Sequence, residues 1–158
     1  MFGPALFSRR FPISSAIAHL ASIPKVIPQT AGLLPKWQLL VGVVAVLNTL
    51  QNFLTLKFTR RIYNAVPPAQ PVTALQARTF AVWTLTSAVV RVYAAYHIQN
   101  KVIYDMALMT YLIAFAHFSS EIFIFRTAKI GPPVLSPCIV ATTSLVWMIS
   151  QYDFYVKN

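Results

Sequence analysis

His117 and Glu121, in the stretch HFSSE, stand four residues apart. On a helix that spacing puts both on one face. Such a pair suits two ligands of a metal ion, a general base and acid, or an ion pair held inside an apolar bundle. A metal site needs more donors than two. The other histidines, His19 and His97, lie elsewhere along the chain, and the acids are only Asp105, Glu121 and Asp153. His97 and Asp105 flank a short turn and read as a capping pair. The single cysteine, Cys138, rules out an intrachain disulfide and a cysteine-based metal or cluster site. Gly3, Gly32, Gly42 and Gly131 are the only glycines and build neither a G-x-G-x-x-G turn nor a P-loop. No cofactor is expected. Proton transfer through Glu121 and His117 is the one catalytic chemistry these residue types leave.

The elements that carry these residues are set by composition. Of 158 residues, 57% are hydrophobic and 10% charged, with a mean hydropathy of +0.62. A water-soluble domain has about a quarter of its residues charged, so this chain is expected to be an integral membrane protein. The net charge of +10 comes from 13 Lys and Arg against 3 acids. These cations flank apolar runs instead of forming a dense patch, which suits headgroup contact and topology setting; no nucleic acid is expected.

Residues 1–35 carry Pro4, Pro12, Pro24, Pro28 and Pro35, which break any long helix. They read as a flexible N-terminal extension. Arg9, Arg10 and several serines without an acid loosely resemble a mitochondrial presequence. The rest, 36–158, reads as an all-α membrane domain. Four runs near the ~20 residues of a membrane helix, at 37–56, 78–98, 103–125 and 134–152, predict a four-transmembrane-helix bundle with both termini on the same side. Residues 57–77 read as a polar loop, QNKV (99–102) as a tight turn, and RTAKIGPP (126–133) as the last connection. Positive charges near the runs lean towards placing the first and third loops in the cytosol; adding Arg9 and Arg10 cancels the lean.

The tight turn allows levels to be assigned along the second and third runs, at ~1.5 Å per residue. Arg91 falls opposite Thr110 and about 16 Å from Glu121, whereas Arg78 falls about two residue levels from Glu121. Asn48, Gln51, Asn52 and Thr55 share one helical stripe near that same level. The expectation is a polar belt at the end of the bundle near the first and third loops: Asn48, Gln51, Asn52, Gln76, Arg78, His117 and Glu121. Its role is either interhelical hydrogen bonding, partner docking or binding of a small molecule. Arg91 lies deeper and reads as an interface anchor that snorkels towards headgroups past Tyr93, Tyr96 or Tyr104.

The ordered motifs GLLPKW, LNTLQNF, LQARTFAVWTL, RVYAAYHIQN and AFAHFSSEIFIF resemble the ergosterol biosynthetic protein 28 family of fungi, over about residues 32–156. The resemblance implies a multi-pass protein of the endoplasmic reticulum membrane without catalysis of its own. It also implies partners: a sterol C-4 methyl oxidase, a sterol 3-beta-dehydrogenase/C-4 decarboxylase, a 3-ketosteroid reductase and a sterol C-24 methyltransferase, which the family tethers. It carries no catalytic residues over. Self-association into a homo-oligomer stays open. The alternative from the residues alone is a small cofactor-free membrane enzyme that binds or isomerises a sterol through Glu121 and His117.

Overall fold

The computed structural model describes residues 26–156. Most of the expected extension, including Arg9 and Arg10, lies outside that range. Six helices follow in order: α1 (Leu34–Leu54), α2 (Lys57–Ile62), α3 (Ala74–Tyr96), α4 (Lys101–Phe123), α5 (Pro132–Ser150) and α6 (Tyr152–Tyr155). Among the described residues there is no strand. Three of the helices, α1, α4 and α5, are long and apolar enough to cross a membrane. Their outward faces carry exposed Leu40, Val43, Leu47, Met109, Ile139 and Val146, the pattern of a multi-pass membrane protein. At 23 residues α3 is as long as α4, but Arg78, Arg91 and its Thr and Ser residues keep it out of that set.

Helix starts differ from the expected spans for identifiable reasons. Pro35 sits in the first turn of α1, where its missing amide costs nothing, so the helix begins before residue 37. Thr73 and Gln76 form a capping box: the Thr73 hydroxyl accepts from the Gln76 amide at 3.2 Å, and Gln76 Oε1 accepts from the Thr73 amide at 2.8 Å. That starts α3 at Ala74, ahead of the expected 78. Asn100 caps α4 by accepting from the Ile103 amide at 3.2 Å. The region read as a polar loop, 57–77, holds α2; its breakers, NAVPPAQP, come only after Tyr63. Part of the expected extension is also packed: Pro28 is buried, and the Tyr96 hydroxyl donates to the Val26 carbonyl at 2.6 Å.

The most extensive interface joins α1 and α3. On α1 the buried stripe is Gln38, Val41, Gly42, Ala45, Thr49 and Asn52. On α3, Ala77, Ala81, Ala88 and Ala95 are fully buried. Small residues let the two backbones approach, and in lipid that contact replaces the hydrophobic driving force available in water. A Cβ on Gly42 would lie 2.7 Å from Val92 Cγ2, and the Thr49 hydroxyl reaches the Ala81 carbonyl at 3.2 Å. The start of α1 meets the end of α5: Trp37 Nε1 donates to Ser144 Oγ at 2.9 Å, and the Trp37 and Trp147 rings lie 6.2 Å apart.

Arg91 does not snorkel. It is buried, at 8% exposure, because Thr110 and Tyr111 of α4 supply what headgroups would. Its Nε donates to Thr110 Oγ1 at 3.2 Å, and its Nη2 to the Thr110 carbonyl at 3.4 Å. The guanidinium lies 4.1 Å over the centre of the Tyr111 ring, a cation–π contact strengthened by desolvation. From there the Tyr111 hydroxyl donates to Gln38 Oε1 at 2.8 Å, and Gln38 Nε2 reaches Met148 Sδ at 3.1 Å. One polar thread therefore crosses α3, α4, α1 and α5.

Gly42→Leu is expected to lower stability by about 1–3 kcal/mol through overpacking against Val92. Gly42→Ala should fall close to wild type, because the gain in helix propensity, about 1 kcal/mol, offsets a smaller clash. Thermal unfolding in detergent measures both, and an unchanged Gly42→Leu would refute the close seam. Arg91 gives the opposite ordering to intuition. Arg91→Met leaves no orphaned partner, since the Thr110 hydroxyl donates to the Ala107 carbonyl and Tyr111 to Gln38. It should match or exceed wild-type stability. Arg91→Lys keeps a buried charge but loses the planar fork, and should cost about 1–3 kcal/mol.

Candidate functional site

The expected belt separates into three groups, because equal height along a bundle does not mean a shared face. Asn48 and Asn52 form the first. Asn52 Nδ2 donates to the Asn48 carbonyl at 2.9 Å and to its Oδ1 at 2.8 Å, and the Thr59 hydroxyl donates to Asn52 Oδ1 at 2.5 Å. With Asn52 and Thr59 buried, these bonds fold α2 back onto the end of α1. The second group, Gln51 and Arg78, is exposed. Arg78 forms no ion pair with Glu121; among the described residues the ion pairs are Lys101–Asp105 and the His117–Glu121 contact. The first turn of α3 directs Arg78 outward, while Ala77 and Ala81 take the inward face.

His117, Glu121 and Gln76 form the third group, around a cavity of about 690 Å³ at the loop end of the bundle. Val66 and Val72 line it from the first loop, Phe80 and Trp83 from α3, and Ile113 from α4. Tyr63, directly after α2, closes the polar side: its hydroxyl lies 2.7 Å from His117 Nε2. Burial, and then the nearby Glu121 carboxylate, push the Tyr63 pKa up. A phenol that keeps its proton is a donor, which assigns Nε2 as acceptor and leaves the His117 proton on Nδ1. Glu121 Oε1 lies 3.9 Å from that Nδ1, beyond hydrogen-bond reach. Its other oxygen accepts from the Thr127 hydroxyl.

The loops hold this arrangement together. The Glu121 carbonyl accepts from the Thr127 amide at 3.0 Å and from Ala128 at 3.3 Å. Between them and α4 the chain turns at Arg126, whose φ of 56° is left-handed, a conformation costly for a residue with a side chain. The third loop is then tied to the first by Ala65 N to Thr127 O and Lys129 N to Asn64 Oδ1, both at 2.9 Å. Among the described residues no third His, Cys, Asp or Glu joins His117 and Glu121. The arrangement can hydrogen-bond one small polar group at the end of an apolar chamber.

Sequence reasoning passed over Tyr63, Trp83 and Thr127 here, and Gln38 and Tyr111 in the thread. Tyr63 and Thr127 lie in regions read as loops, which received no level. Gln38 stood at the expected water boundary, where an amide raises no question. A usable signal existed: Gln38, Gly42, Ala45, Thr49 and Asn52 recur at helical spacing, a small and polar stripe inside an apolar run.

The family model described as "Erg28 like protein" matches residues 34–146. The ergosterol biosynthetic protein 28 of Saccharomyces cerevisiae is 40% identical over 95% of this chain and 97% of its own length. That of Candida albicans is 43% identical over 87% of this chain and 99% of its own. That of Schizosaccharomyces pombe is 46% identical over 75% and 85% respectively. The likeness to the Saccharomyces protein thus extends into the N-terminal residues that the motif resemblance left out. No solved structure matches the chain. From the family match across the helical domain and these identities, the chain belongs to the Erg28-like family, with relatives that carry the name ergosterol biosynthetic protein 28.

Proposed function

We propose that the chain is a non-catalytic scaffold of the endoplasmic reticulum membrane that tethers enzymes of ergosterol biosynthesis. The enzymes are those implied by the family resemblance: the sterol C-4 methyl oxidase, the 3-beta-dehydrogenase/C-4 decarboxylase, the 3-ketosteroid reductase and the C-24 methyltransferase. The observation that carries this reading is the surface at the loop end. Lys57, Arg60, Arg61, Arg78, Arg126 and Lys129 are all exposed there, beside exposed Phe53, Leu54, Phe123 and Phe125. Charge mixed with apolar side chains suits docking of membrane enzymes at the headgroup level. A tether raises the effective concentration of successive enzymes around an intermediate that partitions into the bilayer.

In this reading α3 is the fourth span and both termini share one side of the membrane. At ~1.5 Å per residue its 23 residues exceed the ~30 Å hydrocarbon core. Arg91 satisfied inside the bundle and Arg78 at the exposed end remove the main obstacles to insertion. The docking contacts fall on the exposed cations, Arg78 among them. Glu121, half-buried and bound to the third loop, positions the surface.

A second reading, a cofactor-free enzyme acting on a sterol through Glu121 and His117, is favoured by one observation: both line the cavity. The two readings part in a single pair of measurements. Reversing Arg60, Arg61 and Arg78 to glutamate should cut co-purification of the enzymes from native membranes several-fold while thermal unfolding stays near wild type. Retention of every enzyme by the folded triple variant would sink the docking surface. Conversion of a sterol by the purified chain, abolished in Glu121→Gln, would replace the scaffold with the enzyme.

A further inference from the structure

None of the exposed cations assigned to docking lines the chamber at the loop end, and its lining says what it takes. We propose that it is a binding site for one hydroxylated sterol, with the hydroxyl held between Glu121 and His117. The inference rests on the reading above for the class of lipid, and on the geometry for the site.

Size and chemistry agree. About 690 Å³ falls within the ~300–1,000 Å³ of small-molecule sites. Apart from the cluster at Tyr63, Gln76, His117 and Glu121, the walls are mainly apolar or aromatic, and no Lys or Arg lines them. A phosphate headgroup would meet a carboxylate and no cation, so phospholipids are disfavoured. A rigid apolar body with a single neutral polar group fits both parts of the lining. Phe80 and Trp83, with ring centres 5.7 Å apart, give a broad surface for flat fused rings, and His117 stands 5.5 Å from Trp83.

The polar end is set for a hydroxyl. The 3.9 Å between Glu121 Oε1 and His117 Nδ1 is too long for a direct bond and can be bridged by one oxygen that donates to the carboxylate and accepts from the imidazole. Tyr63 and Thr127, themselves on the chamber wall, hold the two partners, so little ordering remains to be done on binding. The chamber lies at the end of α4 and the start of α3, where a span gives way to loops. A sterol in the bilayer keeps its hydroxyl at that level. Exposed Leu75 and Ile113 lie on its lining, which opens a lateral route from lipid without passage through water.

The test uses the purified full chain in phosphatidylcholine vesicles, with ergosterol bearing a photoreactive group on its rings. Labelling should saturate, map to peptides covering 59–83 and 113–127, and be displaced by ergosterol but not by its acetate ester. Ile113→Trp, which fills the chamber from α4, should lower labelling at least about tenfold, the scale of one lost close contact set. Thr79→Trp on α3 repeats the block should the first variant unfold. Labelling that does not saturate, spreads over the outward faces of α1 and α5, or survives both folded blocking variants overturns the site. If neither variant folds, the wild-type competition decides: equal displacement by ergosterol and its acetate overturns it. Enzymes that co-purify with a chain unable to bind ergosterol leave the scaffold standing without the site. Specific labelling of a chain that captures no enzyme leaves the site without the scaffold.

Discussion

Close approach of α1 and α3 is the constraint on which the rest of this bundle depends. Between helices in lipid there is little hydrophobic gain, so contact has to come from packing. Gly42, Ala45 and Thr49 facing Ala81 and Ala88 supply it. The seam sets the height of Gln38 at one end and of Asn52 at the other. Gln38 must reach Tyr111 and Met148, and Asn52 must receive Thr59. A wider seam would separate these partners and leave buried amides unsatisfied, each costing about 1–3 kcal/mol. Steric fit and polar satisfaction are thus one condition here.

Polar groups in such a bundle have two uses, and the structure keeps them apart in space. The thread from Arg91 through Tyr111 and Gln38 to Met148 is closed within the chain, every member serving a neighbour. It fixes how the helices are rotated relative to one another, since turning α1 would strand Gln38. At the loop end the cluster is not closed. Glu121 keeps one oxygen without a hydrogen bond among the described residues, next to an imidazole just out of reach. The accessible Glu121 oxygen is free to serve a ligand at the chamber wall, whereas the thread in the core is served by the chain itself.

Much of this was legible from residue order. Apolar run lengths predicted the helices, and the turn at 99–102 placed Arg91 opposite Thr110, with which it bonds. Failures came from what a one-dimensional level omits. Arg78 and Glu121 stand at similar heights but on different faces, and rotation about the helix axis separates them. Gln51 fails in the same way beside Asn52, a single residue on, which is buried. Tyr63 was invisible because its position depends on α2, a helix too short for any periodic signal. Thr127 reaches Glu121 only through a left-handed turn at Arg126, a position where residue type predicts no such turn.

The two ends of the bundle differ in a way that argues for where function lies. At the end holding the start of α1, Tyr155 occupies the space beside Gly32, the Tyr104 hydroxyl donates to the Met148 carbonyl at 2.6 Å, and Lys101, Asp105 and Tyr152 satisfy one another. Aromatic side chains pack that end, and among the described residues Lys101 pairs with Asp105 there. At the opposite end the first and third loops are bridged by hydrogen bonds, yet a cleft remains beside them, and six cations stand exposed on the loops and helix ends of that side. Tyr63 and Thr127 hold His117 and Glu121 at the chamber wall. Aromatic side chains pack both ends, but only at the loop end do Phe80 and Trp83 line a cleft with His117 and Glu121 at its polar wall, and that is where an occupant can be held.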